Sequence, residues 1–300
     1  MFITCSIGIM AHNEAANIGR LLGTLGAQHT ATVSIGEIVV VASGCTDETE
    51  SIVCAQASRD PRIRLVVQAR REGKASAINE FLRQTREKIV VLCSADLLPA
   101  PEAVEQLVSP FKDAELGMSC ARPMPVNDPD TFMGFAAHML WNLHHQVNLV
   151  NFKAGEMIAL RKSFERIPYH TAVDEASIEP VIRGQGFSVL YVPTALVYNR
   201  GPETVRDFLS QRRRIYAGHL AVRDSLGYSV STMSGRKVLG IVLRNLDMHP
   251  RPFVWTWGVA AIEIYGRWLG FRDYTKKRDH SVWEIAKTTK EVKLRKTAQS

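Results

Sequence analysis

Two rhythms of apolar and polar positions divide the chain. Thr4 to Met10 is almost continuously apolar and stops at His12-Asn13-Glu14, which reads as a buried strand followed by a polar loop. Ile18, Leu21, Leu22 and Leu25 then recur at i, i+3, i+4 and i+7, the spacing of one helix face. Glu37 to Val41 predicts a second strand, closed by the turn and helix-capping cluster Ser43-Gly44-Cys45-Thr46-Asp47. Ile63 to Val67 predicts a third strand. Lys74 to Gln84 carries Ala77, Ile78, Phe81 and Leu82 on one helical face, and Lys88 to Cys93 reads as a central strand. Pro101 opens a further helix. Such alternation predicts a parallel sheet with helices on both faces and right-handed crossovers. Ligands of these sheets bind beyond the carboxyl ends of the strands, here the loops Ala11 to Glu14, Ala42 to Asp47, Arg70 to Lys74 and Ser94 to Pro99.

Beyond residue 125 the pattern is mixed. A helix from Thr131 to Val150 places His138, Trp141 and His145 on one face, which suits either an acceptor-side lining or plain packing on the core. A strand at Ser188 to Val192 ends in Pro193, and Glu203 to Arg223 reads as a helix containing Gln211-Arg212-Arg213-Arg214. Pro252 to Phe271 is long enough to cross a bilayer, but Glu263 and Arg267 interrupt it. Its Trp255, Trp257, Tyr265 and Trp268 suit the headgroup boundary, and Arg272, Lys276, Lys277 and Arg278 follow. A helix lying on an anionic leaflet is the preferred reading; a helix buried on the sheet or at a dimer contact is the alternative.

Charge and cysteine content narrow the chemistry. The 37 Lys and Arg against 30 Asp and Glu leave a net charge of +7, which suits a diphosphate, an acidic lipid or a nucleic acid. No nucleic-acid motif or set of interleaved stacking aromatics accompanies the basic run, so nucleic acid is set aside. No G-x-G-x-x-G follows the first strand, which argues against a dinucleotide dehydrogenase. Five cysteines without a close pair read as reduced thiols, and the N-terminus lacks the basic region of a signal peptide. The expected location is cytoplasmic, at the inner face of the cell membrane.

Seven segments in order carry a family resemblance: IGIMAHNEAANI, VASGCTDET, REGKASAIN, VLCSADLLP, GEMIALRKS, VDEASIE with GFSVLYVP after it, and QRRRI. Together, over about residues 3 to 220, they resemble the family 2 glycosyltransferases of GT-A fold. The resemblance implies an α/β fold, a mostly parallel Rossmann-like sheet flanked by helices, with an amphipathic helical extension at the C-terminus. Residues 1–225 would form the transferase domain, 1–125 binding the nucleotide-sugar and 126–225 the acceptor, and 226–300 the extension. The implied reaction is inverting transfer of one sugar from a nucleoside-diphosphate donor, UDP-linked by expectation, to a hydroxyl of a glycolipid or growing glycan.

Roles follow residue by residue. The leaving diphosphate calls for Mg2+ or Mn2+ and fixed cations. Asp96 matches the metal-binding carboxylate of the family's Asp-x-Asp, and Ser94 stands where the first Asp would be. Ser43 stands where an aspartate reads the base; Asn13 and Glu14 either contact the nucleoside or cap the first helix. Gly73 admits close backbone approach, and Lys74 begins a helix whose first amides favour an anion. Inversion needs a carboxylate base on the acceptor side. Counting back eleven residues from Gly186 lands on Glu175, with Asp174 beside it to raise its pKa. Gly155 and Glu156 match the loop near the acceptor hydroxyl, and Gln211 and Arg214 share a helix face that reaches the diphosphate or the acceptor. Ile215 replaces a tryptophan that would stack on a growing polysaccharide, which favours transfer of a single sugar. Because Ser43 and Ser94 stand where carboxylates are usual, a nucleotide-sugar-binding scaffold that has lost turnover is the competing reading.

Overall fold

The computed structural model describes residues 2–167, 174–228, 235–244 and 246–278, and not the side chains of 174, 175, 226 and 235–238. The alternating first part holds: β1 (Ile3–Ala11), α1 (Ile18–Gly26), β2 (Val33–Ser43), α2 (Thr49–Ala57), β3 (Ile63–Gln68), α3 (Lys74–Gln84), β4 (Ile89–Ser94), β5 (Leu98–Pro99) and α4 (Ala103–Val108). After a 3-10 turn at Ser109–Lys112 come β6 (Leu116–Pro125), α5 (Phe132–Asn148), β7 (Met157–Arg161), α6 (Asp174–Gly184), β8 (Ser188–Asn199), α7 (Val205–Leu226), α8 (Gly235–Arg244) and α9 (Pro250–Thr275). One sheet of order β3-β2-β1-β4-β7-β6-β8-β5 runs through the molecule. Strands β3, β2, β1 and β4 are parallel; β7 lies antiparallel between β4 and β6.

Both sheet faces are covered, as full burial of parallel strands requires. Ile7 and Ile9 of β1 join Leu21, Leu22 and Leu25 of α1 and Leu107 of α4 in one core; Val39 and Val41 of β2 join Ile78 and Phe81 of α3 and Ile178 and Ile182 of α6 in the other. A smaller third core gathers Met133 and Ala136 of α5, Phe208 of α7 and Val259 of α9.

Two elements depart from the sequence reading. β8 does not stop at Pro193 but continues to Asn199. Its register against β6 jumps between Tyr191 and Leu196, so Pro193 falls where the ladder needs no N–H. α9 is amphipathic in the inverse sense. Glu263 and Arg267 turn toward α7, while Val254, Trp257, Ile264, Tyr265, Trp268 and Phe271 face outward. Gly270 lets α9 press on α7, since a Cβ there would lie 2.6 Å from the Arg213 carbonyl oxygen. Arg213 of α7 pairs with Asp273, whose side chain is 1% exposed. Among the described residues, no helix is long and apolar enough to cross a membrane.

Candidate active site

The loops after β1 and β2 are laced together at the carboxyl end of the sheet. Asn13 Oδ1 accepts from the Thr46 amide at 2.8 Å, Thr49 Oγ1 accepts from the Glu14 amide at 2.8 Å, and Asp47 Oδ2 accepts from the Ala15 amide at 3.0 Å. His12 Nδ1 lies 2.7 Å from the Ser43 carbonyl oxygen. Asn13 itself has a positive φ of 53°, an uncommon conformation that asparagine tolerates better than most residues. Neither Asn13 nor Glu14 caps α1: the N-cap is Asn17, whose side-chain amide donates to Glu14 Oε2 at 3.0 Å.

The third loop closes on the second. Gly44 has φ +58°, and a Cβ there would meet the Arg71 amide nitrogen at 2.5 Å, so glycine sets the approach of the two loops. Ser43 is buried and its hydroxyl donates to the Arg70 carbonyl at 3.3 Å, which ties it to the loop that leads into Lys74. Gly73, at φ 93°, precedes α3, whose N-terminus has no side-chain cap.

Charges converge at the end of β4. Burial pushes the Cys93 thiol up; Asp96 raises it further, Lys74 lowers it and Glu156 raises it. One sulfur thus senses all three charged groups. The sheet supplies the placement. Cys93 pairs with Met157 at the end of the antiparallel register, so Ser94 and Glu156 are the residues that adjoin that last pair. Glu156 Oε1 accepts from Asn199 Nδ2 at 3.4 Å, and Asp96 and Ser94 are half-buried. A Cβ at Gly155 would stand 3.3 Å from the His144 ring.

Among the described residues, no three His, Cys, Asp or Glu side chains converge as a metal cage. A hard divalent ion carried in with a diphosphate takes one or two carboxylates and completes its shell from phosphate oxygens and water. Asp96 can supply the carboxylate.

Asp174 and Glu175 open α6, and their side chains lie outside the described residues. Ala176 packs with Ile215, Val222 and Tyr228, which sets the first turn of α6 beside the α7 stretch carrying Gln211 and Arg214, both half-buried. Arg212 and Arg213 of the same run reach instead to α9, pairing with Glu263 and Asp273. His138 bonds the Asn127 carbonyl oxygen and His145 the Tyr191 hydroxyl, so both are held structurally.

Sequence reasoning passed over a buried polar group between α5, α7 and α9. It comprises Lys153, three residues before Glu156, with Arg212, Glu263, Arg267, His144 and His219. Arg267 donates to Glu263 at 2.9 Å, and Arg212 Nε approaches the other Glu263 oxygen at 3.4 Å without hydrogen-bond geometry. Burial pulls the Lys153 ammonium down to about 8, Arg212 adds to that, Glu263 opposes it, and Arg267 lowers it again. Burial, then the Lys153 charge, hold His144 and His219 neutral, each pulled to about 3. The spacing of Glu263 and Arg267 signalled only an interrupted apolar stretch; their partners come from elements far away in sequence.

The model of glycosyl transferase family 2 matches residues 6–179. A dolichol-phosphate mannosyltransferase of Mycosarcoma maydis is 26% identical over 220 residues, 62% of this chain and 74% of that protein. An undecaprenyl-phosphate 4-deoxy-4-formamido-L-arabinose transferase of Pseudomonas fluorescens is 32% identical over 127 residues, 42% of this chain and 37% of that one. In fold, the chain resembles a mannosyltransferase from Pyrobaculum calidifontis solved with GDP-Man and Mn2+, with a TM-score of 0.59, 21% identity, and 92% of this chain and 83% of that one covered. It also resembles a glucosyl-3-phosphoglycerate synthase from Mycobacterium tuberculosis solved with Mn2+, UDP-glucose and phosphoglyceric acid, with a TM-score of 0.52, 20% identity, and 76% and 81% covered.

Proposed function

The chain belongs to glycosyl transferase family 2, and on that premise we propose that it moves one sugar from a nucleoside-diphosphate donor onto a lipid-borne acceptor at a membrane surface. The meeting of Lys74, Asp96 and Glu156 around Cys93, beside the laced first and second loops, carries this reading. The nucleoside lies along the Asn13, Glu14 and Ser43 loops, and its diphosphate points to the end of β4. There Lys74 and the uncapped amides of α3 neutralise the leaving group. Asp96, beside Ser94, would hold Mg2+ or Mn2+, which when bound stabilises the charge that develops on the diphosphate.

On the acceptor side, Glu175, with Asp174 beside it, is the base for whatever proton the acceptor still carries. Gly155 and Glu156 border that side, and Gln211 and Arg214 steady the diphosphate or the acceptor. The names of the two relatives favour a polyprenyl phosphate over a hydroxyl. A phosphate monoester has a second pKa of about 6, so its attacking oxygen is mostly ionised at neutral pH and leans little on Glu175. A hydroxyl would depend on it wholly.

The exposed face of α9 supports membrane contact. Val254, Trp257, Ile264, Trp268 and Phe271 stand three, four or seven residues apart on its exposed face, with Lys276 and Lys277 exposed beyond them. Amphipathic residues of this kind settle at the headgroup boundary of an anionic leaflet. The inner face of the cell membrane is the proposed location.

The test is incubation of the full chain with a panel of nucleotide sugars, Mg2+ or Mn2+, and either a prenyl phosphate or the matching prenyl alcohol. Sugar transfer abolished by Asp96→Asn supports the reading. Donor binding without transfer or hydrolysis under every condition would establish the scaffold instead.

A further inference from the structure

The buried group under α9 is not explained by packing. Lys153 and Arg212, both half-buried, act on the carboxylate of Glu263, which already accepts a hydrogen bond from Arg267. The Lys153 ammonium makes no hydrogen bond or ion pair with them. Arg212 Nε and His219 Nδ1 are buried with no hydrogen-bond partner, and His219 is only 9% exposed. A folded interior normally pairs such groups, because an unneutralised buried cation costs several kcal/mol. An apolar replacement would serve packing better.

The group also sits where an acceptor must pass. Lys153 lies three positions before Glu156, so their Cα atoms stand within about 11 Å of each other. Lys153 is held in place from both ends: its amide donates to Asn148 Oδ1 at 2.8 Å and its carbonyl accepts from Cys120 Sγ at 3.7 Å. The roof is α9, whose outer face is the apolar stripe.

We propose that Lys153 and Arg212, with His219 as a neutral donor, form a binding site for the phosphate group of a phosphate-monoester acceptor. The inference deepens the proposed transfer reaction and rests on it for the identification of the ligand as the acceptor. A dianionic phosphate offers enough acceptor oxygens for the ammonium, the guanidinium and the imidazole N–H together. It would restore full charge to Lys153 by supplying the counter-ion the fold omits. Arg267 already donates to Glu263 at 2.9 Å.

Binding to the full chain in detergent, measured by calorimetry, tests the site with four probes: farnesyl phosphate, farnesol, glycerol 3-phosphate and inorganic phosphate. Farnesyl phosphate should bind at least tenfold more tightly than farnesol. Lys153→Met should lose about tenfold for farnesyl phosphate, Lys153→Arg should retain most of it, and farnesol and UDP affinities should stay as in the wild type. Lys153→Met removes an unpaired buried charge, so it should fold; Arg212→Lys, with the charge kept and the planar fork lost, gives a second handle. Equal binding of farnesyl phosphate and farnesol, or full farnesyl phosphate affinity in Lys153→Met, would overturn the site. Glycerol 3-phosphate binding as tightly as farnesyl phosphate would mark a soluble monoester as the ligand, whereas tight binding of farnesyl phosphate alone marks a lipid. A chain that binds farnesyl phosphate through Lys153 yet never glycosylates it keeps the site and removes the transfer reading. One that glycosylates lipid hydroxyls with Lys153→Met unaffected does the reverse.

Discussion

The sheet half built on β1 to β4 and the helical layer of α5, α7 and α9 solve burial in opposite ways. In the first, the strand interiors are apolar. The one carboxylate taken inside, Glu37, receives the Ser6 and Thr85 hydroxyls, the Arg86 amide and Arg64. Burial alone would raise its pKa; these partners outweigh burial and lower it. In the second, six ionisable groups share a small volume and several of their polar atoms lack partners. A satisfied buried charge steadies a fold, whereas a partly satisfied cluster weakens it and is open to a ligand. The difference separates a platform, which holds the loops still, from a region where charge is kept for binding.

Acid should break the two apart most strongly. His144 and His219 stay neutral in the folded chain down to about 3 but protonate near 6.5 when unfolded. The unfolded state therefore binds protons first, and stability falls as pH drops below 6.5. At pH 5 the loss is about 2 kcal/mol per histidine. The contribution of Glu37, whose pKa is lowered, is lost only below 4.5. Trp141 lies on α5 and Trp255, Trp257 and Trp268 on α9, so their fluorescence follows the helical layer. Urea midpoints by fluorescence that are the same at pH 7 and pH 5 would contradict this.

Asp96→Asn tests the platform's chemistry without touching its stability. Its kcat/KM should fall on the order of a hundred- to a thousandfold at an unchanged melting temperature. Arg213→Ala probes the other region, since it removes the hydrogen-bonded guanidinium from the buried Asp273 while Arg278 stays at 3.7 Å, and should cost about 1 to 3 kcal/mol. An unaltered denaturation midpoint would mean that α9 is held by its apolar contacts alone. Gly44→Ala forces a Cβ into the Arg71 backbone at a positive φ and should cost about 1 to 2 kcal/mol, with weaker UDP binding by calorimetry. Trp257→Ser with Trp268→Ser should change stability by less than about 0.5 kcal/mol, because both rings are exposed. Co-sedimentation with anionic vesicles should nevertheless drop, and vesicle binding equal to wild type would remove the proposed membrane role of that face.

Much of the platform was legible in the chain. Runs such as Lys88 to Cys93 and the face Ala77, Ile78, Phe81 and Leu82 obey periods that local geometry imposes, and α3 spans Lys74–Gln84 as read. The loops at the strand ends followed from the alternation. β8 was cut short because proline is a local signal, while the register jump that absorbs Pro193 depends on β6. Asn13 and Glu14 read equally as caps or contacts, and only the neighbouring loop at Thr46 to Thr49 decided that they lace two turns together. The α9 charges looked like an interruption; their pairing with α7 turned the helix over.

The sequence by itself determined the strand and helix order, the family and the set of residue types at the strand ends, because each depends on spacing along one stretch of backbone. Tertiary structure alone decided that Glu156 adjoins the last pair of β4 and β7 beside Ser94 and that Lys153 senses the charges of Arg212 and Glu263. Electrostatic and hydrogen-bonded contacts act over a few ångströms through space, and residues brought that close from opposite ends of a chain leave no periodic trace in it.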